Sequence, residues 1–239
     1  DEAQDDPDLH QEADADGDGV ATRDEVLQAM IAWEPSLYFE VEGDRAFAYG
    51  TIDGTTPGRI MELLMMHPEV TTLVLTEVPG SIDDHSSLRA CRIIRRHGLA
   101  THVPADGEIS SGGVDMFYSG IHRTADRGAL IGVHSWGAIG ESGDTTPRDD
   151  EAHDMYLEFG REMGLPDEFY WFTIESASPM DIHWMTPEEL RRFGVLTDGD
   201  APPMSSENQF DGLSRLYEFG IQPIDALDHQ LHREGFIKE

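Results

Sequence analysis

Residues 108–120, EISSGGVDMFYSG, place two serines and two glycines directly before a short apolar segment. The pattern predicts a helix over residues 114–118, with a further glycine, Gly120, nine residues after Ser111. Glycine lets a backbone turn tightly and approach its neighbours closely. Ser111 would then stand at the helix N-terminus, where backbone N–H groups lack acceptors within the helix.

The segments on either side of this stretch end in similar turns. Residues 70–75, VTTLVL, are a β-branched run, and residues 73–81, LVLTEVPGS, end in a Pro-Gly turn. Residues 129–137, ALIGVHSWG, form a second apolar run that leads to His134. Both runs are typical of buried strands. We therefore expect Gly80, Ser111 and His134 to lie in loops at the edges of such elements.

Strand and helix patterns alternate along the middle of the chain, which favours an α/β layered domain with a largely parallel sheet. Cys91 is the only cysteine and falls on an apolar helical face, so we expect it in the core. The other predicted elements are a hairpin in residues 39–52 that turns at Gly43-Asp44, a helix capped by Thr55 or Thr56, a helix from Asp83 or Asp84 to Gly98, a strand at 99–103, and helices at about 151–163, 167–177 and 187–193.

The chain divides into three predicted regions. Residues 1–36 form an acidic arm with a calcium loop, residues 37–196 form the α/β domain, and residues 197–239 form a linker and a helical tail. No apolar run approaches the roughly 20 residues that span a bilayer.

The stretches at 73–81, 108–120 and 129–137 resemble the Clp-protease/crotonase superfamily, most closely its Clp-protease-like serine peptidase branch. The resemblance covers about residues 38–196 and implies a Clp-protease/crotonase-like layered fold. It assigns Ser111 as nucleophile, His134 as base, and the amides of Gly80 and Gly112 as an oxyanion hole. It also implies a homo-oligomer, and the aromatic residues 169–172 are a candidate subunit contact.

The same roles can be argued from chemistry. A serine hydroxyl is a weak nucleophile until a base removes its proton. Backbone N–H groups at a helix start can stabilise the oxyanion that then develops. Ser110 is a competing nucleophile, and the spacing to Gly120 favours Ser111. The structural alternative is that Ser111 only caps a helix and His134 only packs at a strand end.

The third member of the site is open at this stage. The resemblance expects an acid shortly before a segment like residues 183–195, HWMTPEELRRFGV, but the matching position holds Ala177 or Ser178. Asp181 is the preferred acid because it precedes the matched segment in a loop, and Glu175 is the alternative.

Two departures leave the substrate class open. Ser81 replaces a second glycine after the Pro-Gly turn, and Glu77-Val78 replaces a small polar pair. We expect a serine hydrolase that acts on a peptide or ester. The alternatives are a crotonase-like acyl-CoA enzyme and a non-catalytic, calcium-dependent interaction protein.

Residues 14–25, DADGDGVATRDE, match the twelve-position EF-hand loop, which supplies six to eight oxygen ligands to calcium. Gly19 occupies the sharp turn at position 6. The predicted ligands of Ca2+ are Asp14, Asp16, Asp18, the Val20 carbonyl, Thr22 and Glu25.

The charge balance limits the choice of partners. Forty-eight acidic and sixteen basic residues give a formal net charge of -32, which disfavours nucleic acids, anionic lipid surfaces and the phosphates of CoA. The chain begins at Asp1 rather than Met, and with a calcium site this predicts export to the periplasm or the medium.

Calcium should raise the melting temperature, because a ligand that binds only the native state stabilises it by mass action. Changing Asp14→Ala together with Glu25→Gln should abolish the shift in a thermal melt. Changing Asp5→Ala together with Asp6→Ala removes the same number of charges outside the loop and should preserve it. If calorimetry at low salt detects no calcium binding, the EF-hand interpretation is wrong.

Overall fold

A mostly parallel sheet forms the centre of the computed structural model, which describes residues 36–138 and 141–197. Eight strands of the described residues make up this sheet, and β8 and β9 form a separate hairpin. The strands are β1 Tyr38–Glu42, β2 Arg45–Tyr49, β3 Thr72–Val78, β4 Ala100–Val103, β5 Glu108–Ser110, β6 Arg123–Ala125, β7 Leu130–Val133, β8 Gly137–Ala138, β9 Glu141–Ser142 and β10 His183–Trp184. The prediction of an α/β domain with a largely parallel sheet is confirmed.

Helices connect the strands and cover the sheet. They are α1 Thr56–Met66, α2 Asp84–Arg96, α3 Gly112–Tyr118, α4 Asp154–Glu162, α5 Asp167–Ser176 and α6 Pro187–Arg192, with a 3-10 turn at Glu151–His153 before α4. All of the predicted helices between residues 55 and 193 are present, with ends that differ by a few residues. No helix in the described part of the chain is long and apolar enough to cross a membrane.

Strand β3 has different neighbours along its length, and this arrangement creates the site. Its first residues, 72–74, pair with β4, whereas Glu77 and Val78 pair with β5. Strand β5 in turn pairs with β7, with Ser110 opposite Gly132, and all of these pairs are parallel. The carboxyl ends of β3, β5 and β7 therefore meet at one edge of the sheet, where ligands of such sheets commonly bind.

The first two helices differ in whether the predicted N-terminal cap is present. The Asp83 carboxylate accepts the Ser86 N–H at 3.0 Å and caps α2, as predicted. Thr55 precedes α1 without a side-chain cap hydrogen bond: its backbone is already helical, and its hydroxyl donates to Asp53 at 2.6 Å and accepts from Arg59 at 2.9 Å. Cys91 lies fully buried on the inner face of α2, so its predicted place in the core is confirmed.

The aromatic residues at 169–172 pack within the chain. Phe169 is buried against Tyr118 and Phe193, and Tyr170 receives the indole N–H of Trp136 at 2.9 Å. Their exposure therefore gives no support to a subunit contact, and self-association stays a prediction from resemblance. The predicted calcium loop, 14–25, and the predicted tail after residue 197 lie outside the described residues.

Helix α3 starts with two glycines because it approaches the end of β3 very closely. A Cβ added to Gly113 would lie 2.2 Å from the carbonyl oxygen of Val78, and one added to Gly112 would lie 2.7 Å from the Ser81 side chain. The backbone of Val78 is paired with β5, so it cannot move away from an added Cβ without disturbing that pairing. The Gly-Gly pair is thus a packing requirement of this turn.

Gly113→Ala should destabilise the fold by about 1–3 kcal/mol, the usual effect of overpacking a tight site. Gly58→Ala is the matched control, because Gly58 lies in α1 with no atom within 4 Å of an added Cβ. That change should stabilise the helix by about 0.5–1 kcal/mol. Urea denaturation measures both, and equal effects of the two changes would contradict the packing requirement.

Candidate active site

Ser111 and His134 follow neighbouring parallel strands. Ser111 comes directly after β5, and His134 comes directly after β7. The Ser111 N–H donates to the Gly132 carbonyl at 3.1 Å, which ties the start of α3 to β7. Adjacent strands of a sheet are about 4.8 Å apart, so the two predicted reacting groups come together at this edge.

The Ser111 backbone adopts an unusual conformation. Its φ is 51° and its ψ is -125°, and it is the only residue other than glycine with a positive φ in the described parts of the chain. Such a conformation costs about 1–3 kcal/mol and persists only where the surroundings hold it. A strained serine between a strand and a helix is the geometry that exposes a nucleophile in many hydrolases.

The structure distinguishes the two candidate serines. Ser110 is buried, and its hydroxyl donates to the Pro79 carbonyl at 2.6 Å. Ser111 instead lines a cavity that His134 also lines. Ser110 therefore connects β5 to the Pro-Gly turn, and of the two serines only Ser111 lines the cavity.

The predicted oxyanion-hole glycines flank Ser111. A Cβ added to Gly80 would lie 3.1 Å from the Ser111 Cβ and 3.5 Å from its Oγ, so the Gly80 backbone is adjacent to the hydroxyl. Gly112 opens α3, where its N–H has no acceptor within the helix. Among the described residues, neither amide N–H has a hydrogen-bond acceptor. Both are available to an oxyanion at Ser111.

A backbone carbonyl, rather than a carboxylate, contacts the inner nitrogen of His134. The Nδ1 atom lies 2.7 Å from the Ser135 oxygen and donates to it, which leaves Nε2 as the acceptor. Ser135 is itself fully buried, and its hydroxyl accepts the Asp144 N–H at 2.8 Å. Fixed surroundings thus set the tautomer of His134.

The two predicted acids lie away from this contact. Asp181 is exposed and accepts the Ser178 hydroxyl at 3.2 Å, and Glu175 is exposed and forms an ion pair with Arg148. Neither carboxylate lines the cavity that contains Ser111 and His134. The structure therefore brings Ser111, His134, Gly80 and Gly112 together but not the acids.

The cavity extends from Ser111 between α3, α4 and α5. Its walls combine aromatic rings with two carboxylates that sequence reasoning missed, Asp84 and Asp115. Asp84 accepts the Ser81 hydroxyl at 2.6 Å and the Tyr156 hydroxyl at 2.5 Å. Asp115 is hydrogen-bonded to Tyr118. An acid inside the apolar helix sequence GGVDMFY was the one available signal for this feature.

Burial changes the proton affinity of Asp115. Part of its surface opens to the cavity, yet protein atoms surround it closely enough that desolvation raises its pKa to about 7. The Tyr118 hydrogen bond opposes this rise, and the negative charge of Asp84 adds to it. Burial raises the pKa of Tyr118, and the negative charge of Asp115 raises it further.

Within residues 36–138 and 141–197, no group of three or more His, Cys, Asp or Glu side chains is arranged to hold a metal ion.

Several solved structures are similar to this one. A mutant of the 1510-N membrane-bound stomatin-specific protease matches with 14% identity and a TM-score of 0.43, over 61% of this chain and 75% of that one. An enoyl-CoA hydratase from Bacillus halodurans matches with 14% identity and a TM-score of 0.43, over 81% and 84%. An enoyl-CoA hydratase/isomerase family member matches with 14% identity and a TM-score of 0.41, over 79% and 77%.

These similarities concern the fold and do not distinguish a protease from a hydratase. No protein-family model matches the sequence, and no curated protein matches it either. A function for this chain is therefore inferred from the geometry of the cavity.

The stability of the protein should depend on the protonation of Asp115. Because its folded pKa of about 7 exceeds the ordinary value of 3.8, its contribution is greatest below about pH 4 and is lost as the pH rises to about 7. Relative to Asp115→Asn, the free energy of unfolding should fall by up to about 1.4 kcal/mol per pH unit in this window. Urea denaturation between pH 4 and pH 8 measures the difference.

The matched control is Asp106→Asn, which changes an exposed aspartate in a loop. Because Asp106 lies outside the cavity, this change should have a small effect on the free energy of unfolding compared with Asp115→Asn. A constant difference between Asp115→Asn and the parent protein over the same pH range would show that Asp115 titrates normally in the folded protein.

Proposed function

We propose that this protein is a serine hydrolase, with a peptide or an ester as substrate. Ser111 is the nucleophile, His134 is the base, and the amides of Gly80 and Gly112 form the oxyanion hole. In this proposal calcium bound by residues 14–25 stabilises an N-terminal arm, and the protein is exported and self-associates.

The backbone of Ser111 carries the proposal. A residue that only caps a helix has no need of a positive φ, because ordinary caps lie in the extended region. Asp83 shows this ordinary geometry at the start of α2, with a φ of -144° and a hydrogen bond to Ser86. Ser111 has a φ of 51° and no side-chain cap hydrogen bond. Its strain is instead accounted for by presentation of the hydroxyl to the cavity.

In the proposed first half of the reaction, Ser111 and His134 act together. The Ser111 oxygen attacks the substrate carbonyl carbon while its proton passes to Nε2 of His134. The carbonyl π electrons move to oxygen, and the resulting oxyanion accepts hydrogen bonds from the N–H groups of Gly80 and Gly112. Collapse of this intermediate expels the amine or alcohol, which takes the proton from His134, and leaves an acyl group on Ser111.

Water completes the cycle by the same groups. His134 takes a proton from the water as it attacks the acyl carbon, and the proton returns to Ser111 as the acid product departs. The Ser135 carbonyl accepts the Nδ1–H of His134 at 2.7 Å, which leaves Nε2 free to act as the base. This contact gives the site an orienting group without a third side chain.

A fluorophosphonate probe should label Ser111, because it reacts with activated serine nucleophiles. Ser111→Ala should abolish labelling and reduce ester turnover by several orders of magnitude. Ser110→Ala is the matched control, since Ser110 is committed to the Pro79 carbonyl, and this protein should still be labelled. Mass spectrometry of the labelled peptide identifies the residue.

Variants of the acids and the base complete the test. His134→Ala should reduce both labelling and turnover, whereas Asp181→Asn and Glu175→Gln should keep most of the activity if the Ser135 carbonyl orients the ring. A large loss in Asp181→Asn would restore that carboxylate as the third catalytic member. Full labelling of Ser111→Ala, or full activity of His134→Ala, would overturn the proposed mechanism; the acyl-CoA and non-catalytic alternatives would then stand.

A further inference from the structure

Two carboxylates in the cavity have no cationic partner. Asp84 and Asp115 both line it, and neither forms an ion pair with an Arg, Lys or His side chain of the described residues. A third lining carboxylate, Asp167, is different because both of its oxygens accept N–H groups of Arg161, at 2.6 and 2.7 Å. The inner pair thus has no cation beside it among the described residues.

The groups that face Asp115 are neutral or acidic. Asp84 and Cys91 face it from α2, Tyr118 from its own helix, Tyr156 from α4 and Tyr170 from α5. Among the described residues no arginine or lysine lines the cavity, and His134 is the only basic side chain that they contribute to its wall. Two nearby acids of like charge repel each other, and a cation placed between them would remove this repulsion.

Aromatic rings complete the wall on the α4 and α5 side. The ring of Tyr156 lies nearly parallel to that of Trp136, at 6.2 Å, and to that of Tyr170, at 5.7 Å. The hydroxyl of Tyr156 donates to Asp84, and that of Tyr170 accepts from Trp136, so these rings are held in place. Fixed aromatic faces next to carboxylates attract organic cations.

The geometry points to a specificity pocket for a cationic side chain, which makes lysine or arginine the residue whose carbonyl Ser111 attacks. This inference rests on the proposed function and names its substrate class. Asp84 and Asp115 bind the ammonium or guanidinium group, and the tyrosine rings contact its stem. The carboxylates are thus binding residues for the substrate.

The distance between Ser111 and Asp115 along α3 matches the length of a lysine side chain. Asp115 follows Ser111 by four residues, and its N–H bonds to the Ser111 carbonyl at 3.4 Å, so the two lie one helical turn apart. A turn advances about 5.4 Å, which is comparable with the stem of four carbons that separates the backbone from the ammonium group of lysine. A charged group at the end of such a stem can reach the acids while its carbonyl stays at Ser111.

Paired substrates test the pocket. Aminoacyl esters of lysine and norleucine share a stem of similar length and differ in charge, and a glutamate ester reverses that charge. The value of kcat/KM should be at least tenfold higher for lysine than for norleucine, and lowest for glutamate. Asp115→Asn and Asp84→Asn should each reduce the ratio of kcat/KM for lysine over norleucine at least severalfold, mainly through a higher KM for the lysine ester.

A matched control separates the pocket from the overall negative charge. Asp106→Asn removes one exposed charge outside the cavity and should retain the full lysine preference. Equal losses of preference in Asp106→Asn and Asp115→Asn would show that the effect is general attraction, and would overturn the inference.

A binding measurement does not depend on catalysis. Calorimetry with Ser111→Ala should detect n-butylammonium but not n-butanol, and the ammonium signal should be lost when Asp115→Asn is added. If the parent protein hydrolyses norleucine esters as well as lysine esters, the specificity inference fails while the hydrolase proposal stands. If no ester is turned over and no probe labels Ser111, the hydrolase proposal fails, and ammonium binding alone decides whether the cavity is a cation site.

Discussion

The parallel pairing of β5 with both β3 and β7 is the constraint on which the site depends. Because these three strands end at one edge, the loops that contain Gly80, Ser111 and His134 meet there. The spacing is set by backbone hydrogen bonds, whose geometry varies little between sheets. The fully buried Ile109 of β5 anchors this arrangement in the core. The reacting groups therefore inherit their positions from the sheet rather than from contacts with one another.

The cavity combines two opposite electrostatic demands. In the proposed reaction, backbone N–H groups at Ser111 would favour a negative charge on the substrate oxygen, whereas the carboxylates of Asp84 and Asp115 would disfavour it. Protonation of Asp115, or a cation beside it, reduces this conflict. A positively charged substrate would neutralise the carboxylates of Asp84 and Asp115 when it binds. The same contact would then strengthen substrate binding and reduce the repulsion between these carboxylates and the oxyanion.

Sequence patterns predicted the elements and the location of Ser111 and His134 at strand ends, because strands, helix starts and glycine turns leave local signals. The Asp83 cap and the buried Cys91 face of α2 follow from such signals. The surroundings of Asp115 could not be predicted, because Asp84 and Tyr156 meet it only through the packing of separate helices. Likewise, the sequence directed attention to Asp181, since nothing in it shows that the neighbouring Ser135 carbonyl occupies the Nδ1 position of His134.

Ser81 connects the Pro-Gly turn to the beginnings of α2 and α3. Its hydroxyl binds Asp84, and its side chain fills the space that a Cβ at Gly112 would occupy, at 2.7 Å. A residue larger than glycine at position 112 thus requires a smaller one at position 81, which would leave a carboxylate oxygen of Asp84 without its donor. Positions 81, 84 and 112 are therefore coupled by direct contacts, and a change at one of them alters which side chains the other two can accommodate.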